Sequence, residues 1–125
     1  MKEVPKGLRT WFVIHFAVDM LTGIPLLFFP ETIMPLLGWT TIDPITCRVV
    51  GAALMGIGIE SYLGRNAKVE VFQAMLNLKI IWSSSAILGI TLGIWKGGPQ
   101  TGWLFLGIFV FFWVVWIYYW RQLRI

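Results

Sequence analysis

Charge is scarce in this sequence. Asp, Glu, Lys and Arg make up 13% of its 125 residues, about half the share of an ordinary soluble domain. That shortage excludes a disordered chain, a nucleic-acid domain and most soluble enzymes. Cysteine occurs once, at Cys47, so no intrachain disulfide and no thiolate zinc site can form. Histidine also occurs once, at His15, which excludes a multi-histidine metal centre. No Asn-x-Ser/Thr sequon exists, because Asn66 precedes Ala67-Lys68 and Asn77 precedes Leu78-Lys79. No internal repeat or low-complexity stretch interrupts the chain. Residues 1–125 read as a single domain.

Apolar residues are abundant instead. They reach 58% of the chain, and the mean hydropathy is +0.77. This is the composition of an integral membrane protein. The net charge of +4 does not point to nucleic acid, because position decides its meaning. Lys2, Lys6, Arg9, Arg65, Lys68, Arg121 and Arg124 flank long apolar runs, and no basic stripe lies on a helix face.

A helix needs about 20 residues to cross the hydrocarbon core. Four segments qualify, at approximately 10–29, 46–63, 70–95 and 101–120. The fourth, Thr101 to Trp120, carries no charge and is apolar on every face, where a soluble helix would show a polar stripe. The first follows three basic residues, as a secretory signal would. It contains His15 and Asp19, however, and no small-x-small cleavage site follows it, so it reads as a retained helix. Pro30, Pro35 and Pro44 punctuate the first loop, Arg65-Asn66-Ala67 makes the second, and Lys96-Gly97-Gly98-Pro99 is a turn. The stretch from Glu31 to Trp39 is expected in the interface, with Trp39 at headgroup level.

Basic residues orient the spans. Seven lie at the N-terminus, second loop and C-terminus; Arg48 and Lys96 lie on the opposite side. By the positive-inside rule both termini are cytoplasmic. Trp11 after Arg9, and Tyr118, Tyr119 and Trp120 before Arg121, fit an inner aromatic belt. The expected fold is therefore all-α: an integral membrane four-helix bundle, antiparallel and up-down, in the plasma membrane of a prokaryote.

Ionisable residues inside spans cost roughly 2.5–3.5 kcal/mol each at the helix centre, whereas each Leu or Ile returns only about 0.3–0.6 kcal/mol. His15 and Asp19 on the first helix, Glu60 on the second and Lys79 on the third carry that penalty. His15 and Asp19 are four residues apart and share a face. Side chains lean toward their helix N-terminus, which tilts Glu60 and Lys79 toward each other on antiparallel neighbours. A Glu60–Lys79 pair is expected, with Asp19 as the competing partner. Asn77 recurs with Ser84 and Thr91 every seven residues, on the side of the third helix away from Lys79. Trp82 stands near Lys79 and can line a pocket. The candidate binding cluster is thus His15, Asp19, Glu60, Asn77, Lys79 and Trp82.

Small residues recur every four positions, through Gly56 on the second helix and through Gly89 and Gly93 on the third. Such stripes let helices approach in lipid, so Gly56, Gly89 and Gly93 are expected to be packing positions. Ser83-Ser84-Ser85 reads as helix-to-helix hydrogen bonding. Arg48, with Asp43 or Glu31, reads as an anchor on the side opposite the termini. No motif identifies a catalytic residue, a metal set or a cofactor. His15, Asp19 and Glu60 alone offer too few ligands for a metal.

The second helix, Arg48-Val49-Val50-Gly51-Ala52-Ala53-Leu54-Met55-Gly56-Ile57-Gly58, resembles the Arg-x-x-Gly-Ala…Gly-x-Gly helix of DoxX-like and related small four-helix membrane proteins. The proline-rich loop before it is similar too, so the resemblance covers about the first half of the chain. Members of that group are named for association with quinone-linked oxidoreductases. No motif here carries such an activity over.

Three functions compete. The first is a non-enzymatic bundle that binds a lipid-like molecule or accompanies a membrane partner, with the polar groups joining helices and Lys79 snorkelling. The second is a small transporter or proton-coupled carrier, acting as a homo-oligomer through the Asp, Glu and Lys residues. The third is a lipid-modifying enzyme with Asp19 and Glu60 as acid and base. All three have the lipid bilayer as partner, and none involves nucleic acid.

Overall fold

The computed structural model describes residues 2–124. Five helices follow in order: α1 (Lys6–Phe28), α2 (Pro30–Leu36), α3 (Pro44–Leu63), α4 (Val69–Trp95) and α5 (Gly102–Leu123). Among the described residues there is no strand. Four of the helices, α1, α3, α4 and α5, are long and apolar enough to cross a membrane. They overlap the four spans expected from sequence, with ends displaced by up to four residues. The helix α1 begins before its apolar run, because Lys6 and Arg9 carry the helix past the length that hydrocarbon requires.

The first loop differs from expectation, because it contains α2. Pro30 and Pro35 fall inside this short helix rather than punctuating a loop. Pro30 takes the first helical position, where a missing N–H costs nothing. Gly38 ends the element with φ of 100°. Trp39 N–H donates to the Met34 carbonyl at 3.0 Å and Gly38 N–H to that of Pro35 at 3.0 Å. That two-bond cap needs a left-handed residue, which glycine adopts most cheaply. The turn after α4 is built the same way. Gly97 has φ of 93°, and Gly98 N–H donates to the Gly93 carbonyl at 3.0 Å. At the start of α3, Asp43 caps the helix by accepting from Ile45 N–H at 3.0 Å and from the Thr46 hydroxyl at 2.9 Å.

The chain forms two compact units. One is Pro5–Ala67, holding α1, α2 and α3; the other joins residues 2–4 to 68–124, holding α4 and α5. In the first unit, α1 and α3 pack in opposite directions. Arg9 meets the segment after α3, Phe16 packs at a tilt against Tyr62, Asp19 meets Gly58, and Gly23 meets Gly51. In the second unit, α4 and α5 also run in opposite directions. Gln73 bonds the Leu123 carbonyl, Asn77 meets Trp120, Ser84 meets Trp113, and Ile94 packs on Gly102.

Candidate functional site

In the first unit, His15 and Asp19 come together as their four-residue spacing requires. The His15 Nε2 lies 3.3 Å from Asp19 Oδ1. The residues are 6% and 3% exposed. Backbone shape makes room for them. A Cβ at Gly58 would lie 2.7 Å from the Asp19 Cβ and 3.0 Å from the Met20 Cε, so only glycine lets α3 come this close to the carboxylate. One turn further along α1, a Cβ at Gly51 would fall 2.7 Å from the Gly23 carbonyl oxygen and 2.7 Å from the Leu27 nitrogen. Glycines 23, 51 and 58 therefore set the α1–α3 distance.

Gly56, Gly89 and Gly93, expected as packing positions, make no close contact inside their own units. A Cβ at any of the three would meet nothing within 4 Å. Helix geometry explains the difference on α3. Gly51 and Gly58 are seven residues apart and share the face toward α1, while Gly56 lies roughly 140° round from Gly51. Within the first unit, the seven-residue pair is the one in contact with α1.

Glu60 does not join the dyad. It follows Gly58 by two residues, about 200° round α3, and is exposed. Lys79 is 2% exposed and belongs to the second unit. Its ammonium stands 4.8 Å from the centroid of the Trp116 ring, within cation–π range. Phe112 stacks on that indole with centroids 5.6 Å apart. Trp82 is half-buried, with its ring centroid 6.3 Å from that of Phe109. Asn77 is exposed, and its Oδ1 accepts from Trp120 Nε1 at 3.0 Å. Seven residues on, the Ser84 hydroxyl accepts from Trp113 Nε1 at 3.0 Å. These two rungs are helix-to-helix bonds on the predicted seven-residue repeat. Ser85 instead donates to its own helix, to Ile81.

Several contributors lay outside the sequence reading. Arg9 clamps the segment after α3, donating to the Arg65 carbonyl at 2.8 Å and the Ala67 carbonyl at 3.0 Å. Ser61 is buried and donates to the Ile57 carbonyl at 2.7 Å. Trp116 is fully buried. An arginine before a span reads first as a topology signal, and a serine or tryptophan inside one carries no spacing signature. Gly58 had the clearest available signal, seven residues after Gly51.

Of the two partners expected for Arg48, Glu31 is the one engaged. The guanidinium forks onto the carboxylate at 2.9 and 3.3 Å, tying α2 to α3. The hydrogen bond from Arg48 holds the Glu31 carboxyl below its usual range. Asp43 is likewise held low, chiefly by the Thr46 hydroxyl and then by backbone N–H groups. Among the described residues, no three of His, Cys, Asp and Glu gather as a metal ion would need. The buried acid–imidazole dyad can hold and pass a proton, and the Lys79–Trp116 contact can hold a cation in an apolar setting. No family model, curated protein or solved structure matches this chain.

Proposed function

We propose that this protein is an integral membrane four-helix bundle, antiparallel and up-down, with both termini in the cytoplasm of a prokaryote. In this reading it is non-enzymatic and binds a lipid-like molecule or a membrane partner. The observation that carries the reading is the belt of large apolar side chains left exposed on all four long helices. Leu21 on α1, Val49 and Leu63 on α3, Ile81 and Trp95 on α4, and Trp103 and Phe111 on α5 belong to it. Water would penalise that surface by about 25 cal/mol per Å², whereas lipid does not. The seven-to-two distribution of Lys and Arg supports the orientation. The resemblance of the Arg48–Gly58 helix to DoxX-like proteins is consistent with the same small architecture.

Two measurements test it. The native Cys47 lies near the start of α3, and Thr41 is exposed in the preceding loop. With T41C in a C47A background, an impermeant thiol reagent should label intact cells, while a C-terminal tag stays protected. Labelling only after lysis would invert the topology. Native mass spectrometry from mild detergent should then find a co-purified lipid-like mass or a defined partner. A bare monomer that gains no mass from added membrane lipid would sink the binding reading.

The buried His15–Asp19 pair favours a second reading, an oligomeric proton-coupled carrier. Ionisable groups held inside a span are costly to keep and mark proton routes in many membrane proteins. That reading expects pH-dependent transport in liposomes that D19N abolishes. A particle that is strictly monomeric in mild detergent counts against it.

A further inference from the structure

We infer that α2 is an interfacial helix, submerged in the headgroup zone of the leaflet remote from the chain termini. This rests on the membrane reading above and adds a specific partner surface to it: the glycerol and headgroup layer of the phospholipid leaflet.

The argument begins with α2 itself. Pro30 is buried against its own unit, so the helix is docked there at one end. Leu36, at the other end, is 79% exposed. Phe28 and Phe29, just before α2, are exposed as well, as are Ile45 and Val49 at the start of α3. These side chains extend the apolar belt of α1, whose Leu21 is 75% exposed. Exposed apolar side chains thus stand on both flanks of α2, with the exposed polar residues Glu31 and Thr32 between Phe29 and Leu36. A mixture of exposed apolar and polar side chains is expected where a helix lies at the acyl boundary.

Charge is arranged to permit this. The one charged residue of α2, Glu31, is neutralised by the Arg48 fork at 2.9 and 3.3 Å. The pair offers no free cation for an anionic headgroup, so insertion should not depend on lipid charge. The cap at Gly38 closes the helix carbonyls on Trp39 and Gly38 N–H groups, so α2 brings few unsatisfied backbone groups into a poorly hydrated layer.

The test uses three single-cysteine variants in a C47A background: L36C on α2, L21C within α1 and T41C in the loop. Each is labelled with a polarity-sensitive fluorophore and reconstituted into phosphatidylcholine vesicles, with and without phosphatidylglycerol. The lipids carry nitroxides either near the headgroup or near the acyl-chain end. At position 36 the emission should be blue-shifted relative to position 41. It should be quenched more by the shallow nitroxide than by the deep one, and equally in both lipid mixtures. Position 21 should favour the deep nitroxide. If position 36 matches position 41 while position 21 is quenched, α2 is a solvated loop and the inference falls alone. If quenching at 36 appears only with phosphatidylglycerol, the charge-neutral insertion described here is wrong. If position 21 is not quenched, the membrane reading fails and takes the inference with it.

Discussion

Between α1 and α3, backbone meets backbone; between α4 and α5, side chain meets side chain. In the first pair, a methyl added at Gly51 would strike main-chain atoms at 2.7 Å, one at Gly23 the Gly51 carbonyl oxygen at 3.0 Å, and one at Gly58 the Asp19 Cβ at 2.7 Å. In the second, separation is kept by indoles that reach across to Asn77 and Ser84, and by Lys79 lying over Trp116. Where a glycine of those helices does meet a neighbour, at Gly102, it faces a movable Ile94 side chain at 2.9 Å. The first arrangement is rigid, because backbone cannot step aside. The second is adaptable, because each rung can be lost or replaced singly. One sequence therefore uses the two routes open to helices in lipid, small-residue contact and polar rungs.

The contrast can be broken most directly at Gly51. G51A should destabilise the first pair by about 1–3 kcal/mol, since overpacking against fixed atoms cannot relax. Thermal unfolding in detergent would read this. An unchanged midpoint would mean that α1 and α3 have more slack than their geometry indicates. In the second pair, N77A or S84A should each cost about 0.5–1.5 kcal/mol, the net worth of one hydrogen bond. A double variant should lose about the sum of the two, because the rungs are seven residues apart. Smaller again, G56A, G89A and G93A should fall within about 0.5 kcal/mol of the parent, because their surroundings are open. A large loss at any of them would reveal a partner pressed against that face.

The smallest effect concerns acid. The Glu31 carboxyl is held below its ordinary pKa of 4.5, and that of Asp43 below 3.8. A lowered folded value means that each contributes stability above its unfolded value and loses it as pH falls through the folded one. The α2–α3 junction should therefore weaken only below about pH 4.5, and slightly, because both groups are in contact with solvent. E31Q should remove that part of the acid response and leave α4 and α5 unaffected. Amide exchange in each unit at pH 3 to 6 would show whether it does.

The four long helices were legible in the sequence because hydrocarbon imposes a length and excludes charge, and both constraints are written residue by residue. The His15–Asp19 dyad was legible for a related reason, since four-residue spacing fixes two side chains on one face. Packing was less legible. Within the first unit Gly23, Gly51 and Gly58 make the contacts, and no regular four-residue stripe marks them, since which face meets a neighbour is a tertiary choice. Glu60 shows the same limit. Its position along α3 was evident, but its azimuth, opposite Gly58, became meaningful only once the face toward α1 was known. The helix α2 left signals in Pro30 and Gly38, eight residues apart at the two ends. Within a proline-rich loop both resembled ordinary punctuation.

Arg9 carries a practical consequence. Its guanidinium is engaged by two main-chain carbonyls beyond α3, so reversing or deleting that charge would loosen a fold contact and alter the inside-outside bias together. Lys6 and Lys68 are exposed and are the cleaner positions at which to ask how the translocon chooses an orientation. A mapping study that began at Arg9 would confuse misassembly with inversion.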